Sequence, residues 1–129
     1  MGERTADRLT DNFKLSEFAS GDGRPTPEHV KPNLLELAMN LEALRDELKK
    51  PIRITSGFRS PEHNAAIKGE PNSFHIKGMA ADIQISGVTP AVVAETIERL
   101  ISAGKMKQGG IGVYKTWVHY DIRGTKARW

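Results

Sequence analysis

The sequence has no cysteine, which excludes a thiol nucleophile, a structural disulfide and thiolate ligands to zinc, and leaves the redox compartment open. No apolar run approaches the roughly 20 residues that a membrane span requires. No internal repeat or low-complexity tract is visible. The opening Met1-Gly2-Glu3-Arg4-Thr5-Ala6-Asp7-Arg8 has no apolar stretch after its charges, so no secretory signal is expected. The chain is expected to be made in the cytoplasm and to need another factor for release if it works outside. A dominant charge is lacking too: 19 basic residues against 16 acidic ones give +3. That scattered excess permits a polyanionic partner without selecting one, a solvated surface is the plainer reading, and no nucleic-acid partner is expected.

What remains is a chain of 129 residues, 38% hydrophobic and 27% charged, read as one domain spanning residues 1–129 and expected to be a monomer. At that length a fold buries roughly two-thirds of its unfolded surface, so a metal is not needed merely to hold it together. Leu15-Ser16-Glu17-Phe18 reads as a short helical turn that carries Phe13 and Phe18 inward as a lid or brace. Pro32 suits a helix start, and Leu34, Leu37, Leu41, Leu44 and Leu48 recur in steps of three and four, predicting an amphipathic helix that ends near Lys49-Lys50. Ile52 and Ile54 alternate with Arg53 and Thr55 in a short strand. Ser60-Pro61 and Thr89-Pro90 are cap-then-proline signals for two more helices. The first carries His63, Asn64 and Ile67 and is closed by Gly69; the second buries Val92, Val93, Ile97, Leu100 and Ile101 and stops near Gly104.

Ala80 to Ile85 alternates, sending Ala81, Ile83 and Ile85 to one face and Asp82 and Gln84 to the other. Gly110 to Tyr114 and Trp117 to Arg123 read as two strands of a tight hairpin. In the second, Trp117, His119, Asp121 and Arg123 share one face and Val118, Tyr120 and Ile122 the other. The sum is an α+β fold with a small, mostly antiparallel sheet flanked by helices.

Without cysteine, a zinc site must use imidazole and carboxylate, and a catalytic one needs three protein ligands with a fourth position open. His75, Asp82 and His119 supply such a set. A lone strand histidine is usually just packed, and an aspartate on a polar face is usually solvated. Here the aspartate sits in a strand, a poor place for it, beside small Ala80 and Ala81 and after a Gly78 that permits an unusual turn. Gly109-Gly110-x-Gly112 looks superficially like a phosphate loop but lacks the helix that would aim backbone amides at a phosphate.

Three blocks, Ser56 to Ser60, Ser73 to Ile83, and Gly110 to Tyr114 continuing through Trp117 to Arg123, resemble the zinc D-Ala-D-Ala carboxypeptidase family, the M15 peptidases. The resemblance runs from about Phe13 to Trp129, and the Ser-x-His-x-x-Gly-x-Ala-x-Asp block is its specific part. It implies a Hedgehog/DD-peptidase-like fold, one zinc ion, and cleavage of peptidoglycan stem or cross-link peptides by a carboxypeptidase or an endopeptidase. By the same resemblance His75, Asp82 and His119 are the zinc ligands, Arg59 holds a substrate carbonyl or carboxylate, and Ser73 contacts substrate. Small members without a signal sequence are often phage or prophage lytic enzymes acting on the wall.

The sequence departs from the family where a base is needed. Members carry a glutamate three residues before the last zinc histidine or a histidine two before it, and here those positions hold Thr116 and Trp117. Asp121 is the candidate substitute, since a two-residue step returns its side chain to the His119 face. An orienting role behind a ligating imidazole fits it equally. His63 and Glu70 are fallback bases, and Trp117 either lines a substrate groove or caps the core. Arg59 would steady charge developing on the scissile carbonyl. The departure leaves open a non-catalytic cell-wall peptide-binding module of the same fold.

Overall fold

A computed structural model describes residues 7–129; residues 1–6, most of the segment read for an export signal, lie outside it. A 3-10 turn, Leu15–Phe18, is followed by a second at Glu28–Val30 and by helix α1, Lys31–Leu48. Strand β1 (Arg53–Ser56), helix α2 (Pro61–Ala66), strand β2 (Ala80–Gln84) and helix α3 (Pro90–Ser102) come next. Strands β3 (Gly110–Val113), β4 (Val118–Asp121) and β5 (Ala127–Arg128) complete the chain. The strands form one sheet in the order β1-β2-β4-β3-β5, antiparallel except where β5 runs parallel to β3. The fold is α+β, as the alternation of patterns predicts.

The leucine repeat of α1 buries Leu34, Leu37, Leu41 and Leu44, and the helix ends where Lys49 turns left-handed with its N–H still bonded to Arg45 O. Both cap-then-proline signals work as expected. The Ser60 hydroxyl accepts from His63 N at 3.0 Å and Thr89 Oγ1 from Val92 N at 3.3 Å. α3 packs on α1, β3 and β4 through Val93, Ala94, Ile97 and Leu100.

Val92, expected in that stripe, is instead 47% exposed while Val93 is buried, because it sits about 100° round the helix from Val93, beyond the edge of the stripe. α2 stops at Ala66, leaving Ile67 exposed beyond it. The hairpin strands are shorter than their alternation suggests, although Tyr114 N still donates to Trp117 O at 2.9 Å. No alternation marks β5, because two residues are too few to show a period. The opening turn is a brace, since Phe18 O accepts from Phe58 N at 2.8 Å while Phe13 and Phe18 are buried.

The core fills the back of the sheet, where Ala81 and Ile83 of β2, Ile111 of β3, and Val118 and Tyr120 of β4 meet the helices. The front is polar. Pairing of β2 with β4 sets Asp82 directly opposite His119, and pairing of β3 with β4 sets His119 opposite Gly112.

Candidate active site

His75 lies in a tight turn between α2 and β2. Its backbone N–H donates to Ser73 Oγ at 3.1 Å, its carbonyl accepts from Arg59 N at 3.0 Å, and the turn closes at Gly78, whose φ is +72°. The His75 Nδ1 stands 2.7 Å from Gly57 O. A carbonyl only accepts, so Nδ1 carries the proton and Nε2 is left with a bare lone pair. His119 is fixed in the opposite tautomer. Its Nε2 is 2.7 Å from Asp121 Oδ2, which leaves Nδ1 as the free acceptor.

Both lone pairs converge on Asp82. Its Oδ1 is 3.4 Å from His75 Nε2 and 3.3 Å from His119 Nδ1, and one ligand atom from each of the three residues lies within 4.8 Å of the others. All three side chains are buried. The spacing suits a small divalent ion, since a tetrahedron with donors about 2.05 Å from its centre has edges of about 3.3 Å. Two imidazoles and a carboxylate also form a borderline donor set suited to zinc. When protons rather than an ion occupy the two facing nitrogens, burial still pushes the Asp82 pKa up, but the hydrogen bonds that His119 and His75 then donate and the charge they carry outweigh it, so its carboxyl is held well below the usual carboxylate range.

Asp121 stands behind this group. It is 0% exposed; Oδ1 accepts from Gly110 N at 2.9 Å and from the Arg123 backbone N and Nε at 3.1 and 2.9 Å, and Oδ2 meets His119 Nε2 and Arg123 Nη2 at 2.7 Å each. Both oxygens are therefore engaged on the side of His119 away from Asp82. A Cβ on Gly110 would collide with Asp121 Oδ2, so this glycine of the phosphate-loop look-alike makes room for the carboxylate. Burial disfavours the Asp121 charge, and the bonds with His119, Arg123 and Gly110 overcome it, lowering its pKa. For His119, burial alone would lower the pKa, and the bonds with Asp121 and Asp82 reverse that and raise it.

Arg59 leaves the loop after β1 and reaches the other Asp82 oxygen, with Nη2 to Oδ2 at 3.3 Å. Its remaining nitrogens are held by Ser56 Oγ at 3.2 Å and Asn64 Oδ1 at 3.3 Å. Asn64 is buried and donates onward to Glu70 O at 2.9 Å. The sequence offered no sign of this role, because an asparagine in a short helix looks like any other polar helical residue.

These groups open into a cleft of about 690 Å³. One wall is the segment from Lys68 to Phe74, which carries Glu70 and Ser73. The other is aromatic, formed by Tyr114, Trp117 and Trp129. Trp117 stacks on Tyr114 at 4.5 Å with the rings nearly parallel, and Arg123 lies over Phe74 at 4.4 Å. His63 is not among the lining residues. Trp129, whose place in the sequence announces no site role, lies 4.9 Å from the His119 ring. A second hollow, lined by Asn12, Glu42 and Arg45 among others, contains none of the three clustered residues.

Residues 11–121 match the family described as Peptidase M15. The chain belongs to the M15 peptidase family. Among curated proteins this M15 peptidase is similar to the probable peptidoglycan L,D-endopeptidase MepK of Haemophilus influenzae, with 29% identity over 136 residues covering 91% of this chain and 70% of the relative. The family match takes in Arg59, Ser73, the three clustered residues and Asp121, and ends before Arg123 and β5.

Proposed function

We infer that this M15 peptidase is a zinc enzyme that hydrolyses peptide bonds in peptidoglycan stems or cross-links. The convergence of His75, Asp82 and His119, with both imidazole lone pairs turned inward, carries the reading. The similarity to a probable peptidoglycan endopeptidase supports the substrate class, and favours an endopeptidase over a carboxypeptidase. One zinc ion held by these residues would supply a Lewis acid that polarises the scissile carbonyl and acidifies a water molecule.

The other roles follow from position. Arg59, braced by Ser56 and Asn64, holds its guanidinium beside the cluster, where it binds the substrate carbonyl or carboxylate and steadies negative charge developing on oxygen. Ser73 has its hydroxyl tied to the His75 backbone and contacts substrate from the wall of the cleft. Trp117 lines the groove beside Tyr114. Asp121, with both oxygens engaged behind His119, orients that imidazole rather than taking a proton from water. Glu70 is the lining carboxylate other than Asp82, and has no side-chain partner among the described residues; it takes the general-base role. Among the described residues no helix is long and apolar enough to cross a membrane, and the enzyme acts on the cell wall, where its substrate lies.

The test is mass-spectrometric analysis of muropeptides after digestion of purified peptidoglycan, with and without chelator and with His75→Ala. New termini that vanish on chelation and in the variant, together with zinc in the purified protein, are expected. No new termini and no bound zinc would overturn the reading. The engagement of Asp121 and the absence of a carboxylate at Thr116 favour one alternative, a module that binds wall peptides without cleaving them. Zinc-loaded protein that retains peptidoglycan without turnover would establish it.

A further inference from the structure

Trp129 is held with more care than a surface tryptophan needs. Its backbone is tied to β3 by Trp129 N to Ile111 O at 3.1 Å and Val113 N to Trp129 O at 2.9 Å. Its indole N–H donates to Tyr114 Oη at 2.7 Å, and the Arg123 guanidinium sits 5.5 Å from its ring. Gly112 lies beneath it, and a Cβ there would collide with the indole. The strand has been left without a side chain where the ring rests. The backbone ties together with the Tyr114, Arg123 and Gly112 contacts thus hold the ring in place, yet 49% of the residue stays exposed, in the wall of the cleft and beside His119. Because its one polar atom is already satisfied by Tyr114 and a cation, Arg123, already stands by the ring, the exposed surface is left to apolar contact, and an ordered, half-exposed aromatic ring gains by burial against an alkyl group at little entropic cost.

We propose that Trp129 is a substrate-binding residue, its free indole face packing against the aliphatic side chain of the substrate residue next to the scissile bond. Tyr114 is its positioning residue, acting through the hydroxyl that holds the indole. The proposal rests on the peptidase reading above and adds to it a specificity wall made by the residue that follows β5. The size of the contact follows from its openness: truncating one partly exposed aromatic at a recognition site weakens binding by roughly tenfold.

The experiment is a cycle that pairs a protein change with a substrate change. Synthetic stem peptides spanning the bond identified by the muropeptide digest are compared with counterparts in which glycine replaces the residue beside that bond. Wild type and Trp129→Ala are assayed on both, along with Trp129→Phe and Tyr114→Phe. Trp129→Ala is expected to lower kcat/KM by about tenfold on the parent peptide, chiefly through KM, and by less than about threefold on the glycine peptide. Trp129→Phe and Tyr114→Phe should fall between. Zinc affinity, read by chelator competition, should stay within about twofold in all variants, since none removes a metal ligand or its hydrogen-bond partner.

Equal losses on both peptides, or a loss that follows weakened zinc binding, would overturn the proposal in favour of a structural role. If no peptide is cleaved, tryptophan fluorescence of the zinc-loaded protein titrated with a stem pentapeptide decides instead. A response that survives Trp117→Phe and disappears in Trp129→Phe sustains the contact while the catalytic reading fails. A response that survives in Trp129→Phe overturns the contact.

Discussion

The back of β4 carries Val118 and Tyr120, with Ile122 just beyond, all sealed against the helices; its front carries His119 and Asp121, nearly as buried but polar. The two faces lose similar amounts of solvent and are stabilised by different physics. The back depends on non-directional burial, so residues of similar size and polarity substitute with modest loss. The front depends on directional bonds in which each polar atom has an assigned partner: Gly57 O for His75, Asp121 for His119, and Gly110 and Arg123 for Asp121. A half-satisfied network of this kind is worse than none, so each front residue matters for what it does to its neighbour.

The sharpest break between the faces is Asp82→Ala. It should leave the fold in place, because the apolar side is untouched, while abolishing zinc binding and lowering peptide hydrolysis by at least about a thousandfold; metal analysis and muropeptide assays check both. Ile122→Ala should do the reverse. It removes a fully buried side chain and should cost about 2–5 kcal/mol in denaturant unfolding, with kcat per folded molecule close to wild type. Asp121→Asn sharpens the comparison from within the front, since the isostere keeps the volume and loses the charge that holds His119 in its tautomer. Zinc affinity should fall by roughly 10–100-fold by chelator competition.

The smallest effect separates the faces by pH. The Asp121 pKa is lowered in the folded state, so its stabilisation is present above the ordinary carboxylate range near about 4 and fades as pH falls below it. Tyr120, on the back, has its pKa raised by burial, with the nearby Asp121 and Glu36 charges adding to the effect. Its stabilisation is present below about 10 and fades as pH rises beyond that. Urea melts across pH should therefore show an acid loss that Asp121→Asn weakens and an alkaline loss that Tyr120→Phe weakens. Swapped assignments would refute the comparison.

Much of this arrangement is legible in the sequence, and for one reason: local periods survive folding. Two-residue alternation places Asp82 and His119 on polar faces and Val118 and Tyr120 on apolar ones, and the leucine spacing gives α1 with its buried side. What cannot be read is what depends on where atoms point or on partners distant in the chain. Alternation puts Asp121 on the His119 face but does not tell which side of the imidazole its oxygens occupy; Gly110 and Arg123 decide that. β5 is two residues long and pairs parallel with β3, so neither a period nor a hairpin announces it, and Trp129, though within the family resemblance, has no spacing that gives it a site role. Val92 fails because it lies about 100° round the helix from buried Val93, at an edge where burial depends on what packs alongside.

The direct opposition of Asp82 and His119 across the β2 and β4 ladder has a consequence for how this chain can vary. Their separation is set by the spacing of hydrogen-bonded strands, a constant of the backbone, so segments outside the ladder, such as the Lys115-Thr116 hairpin tip, are free to lengthen or diversify without disturbing it. One residue inserted within β4 would turn the imidazole toward the leucines and an aliphatic chain toward the cleft. Tolerance to insertion and intolerance of it should therefore alternate along the chain with the sheet, giving a mutational map whose silent and lethal stretches trace the ladder.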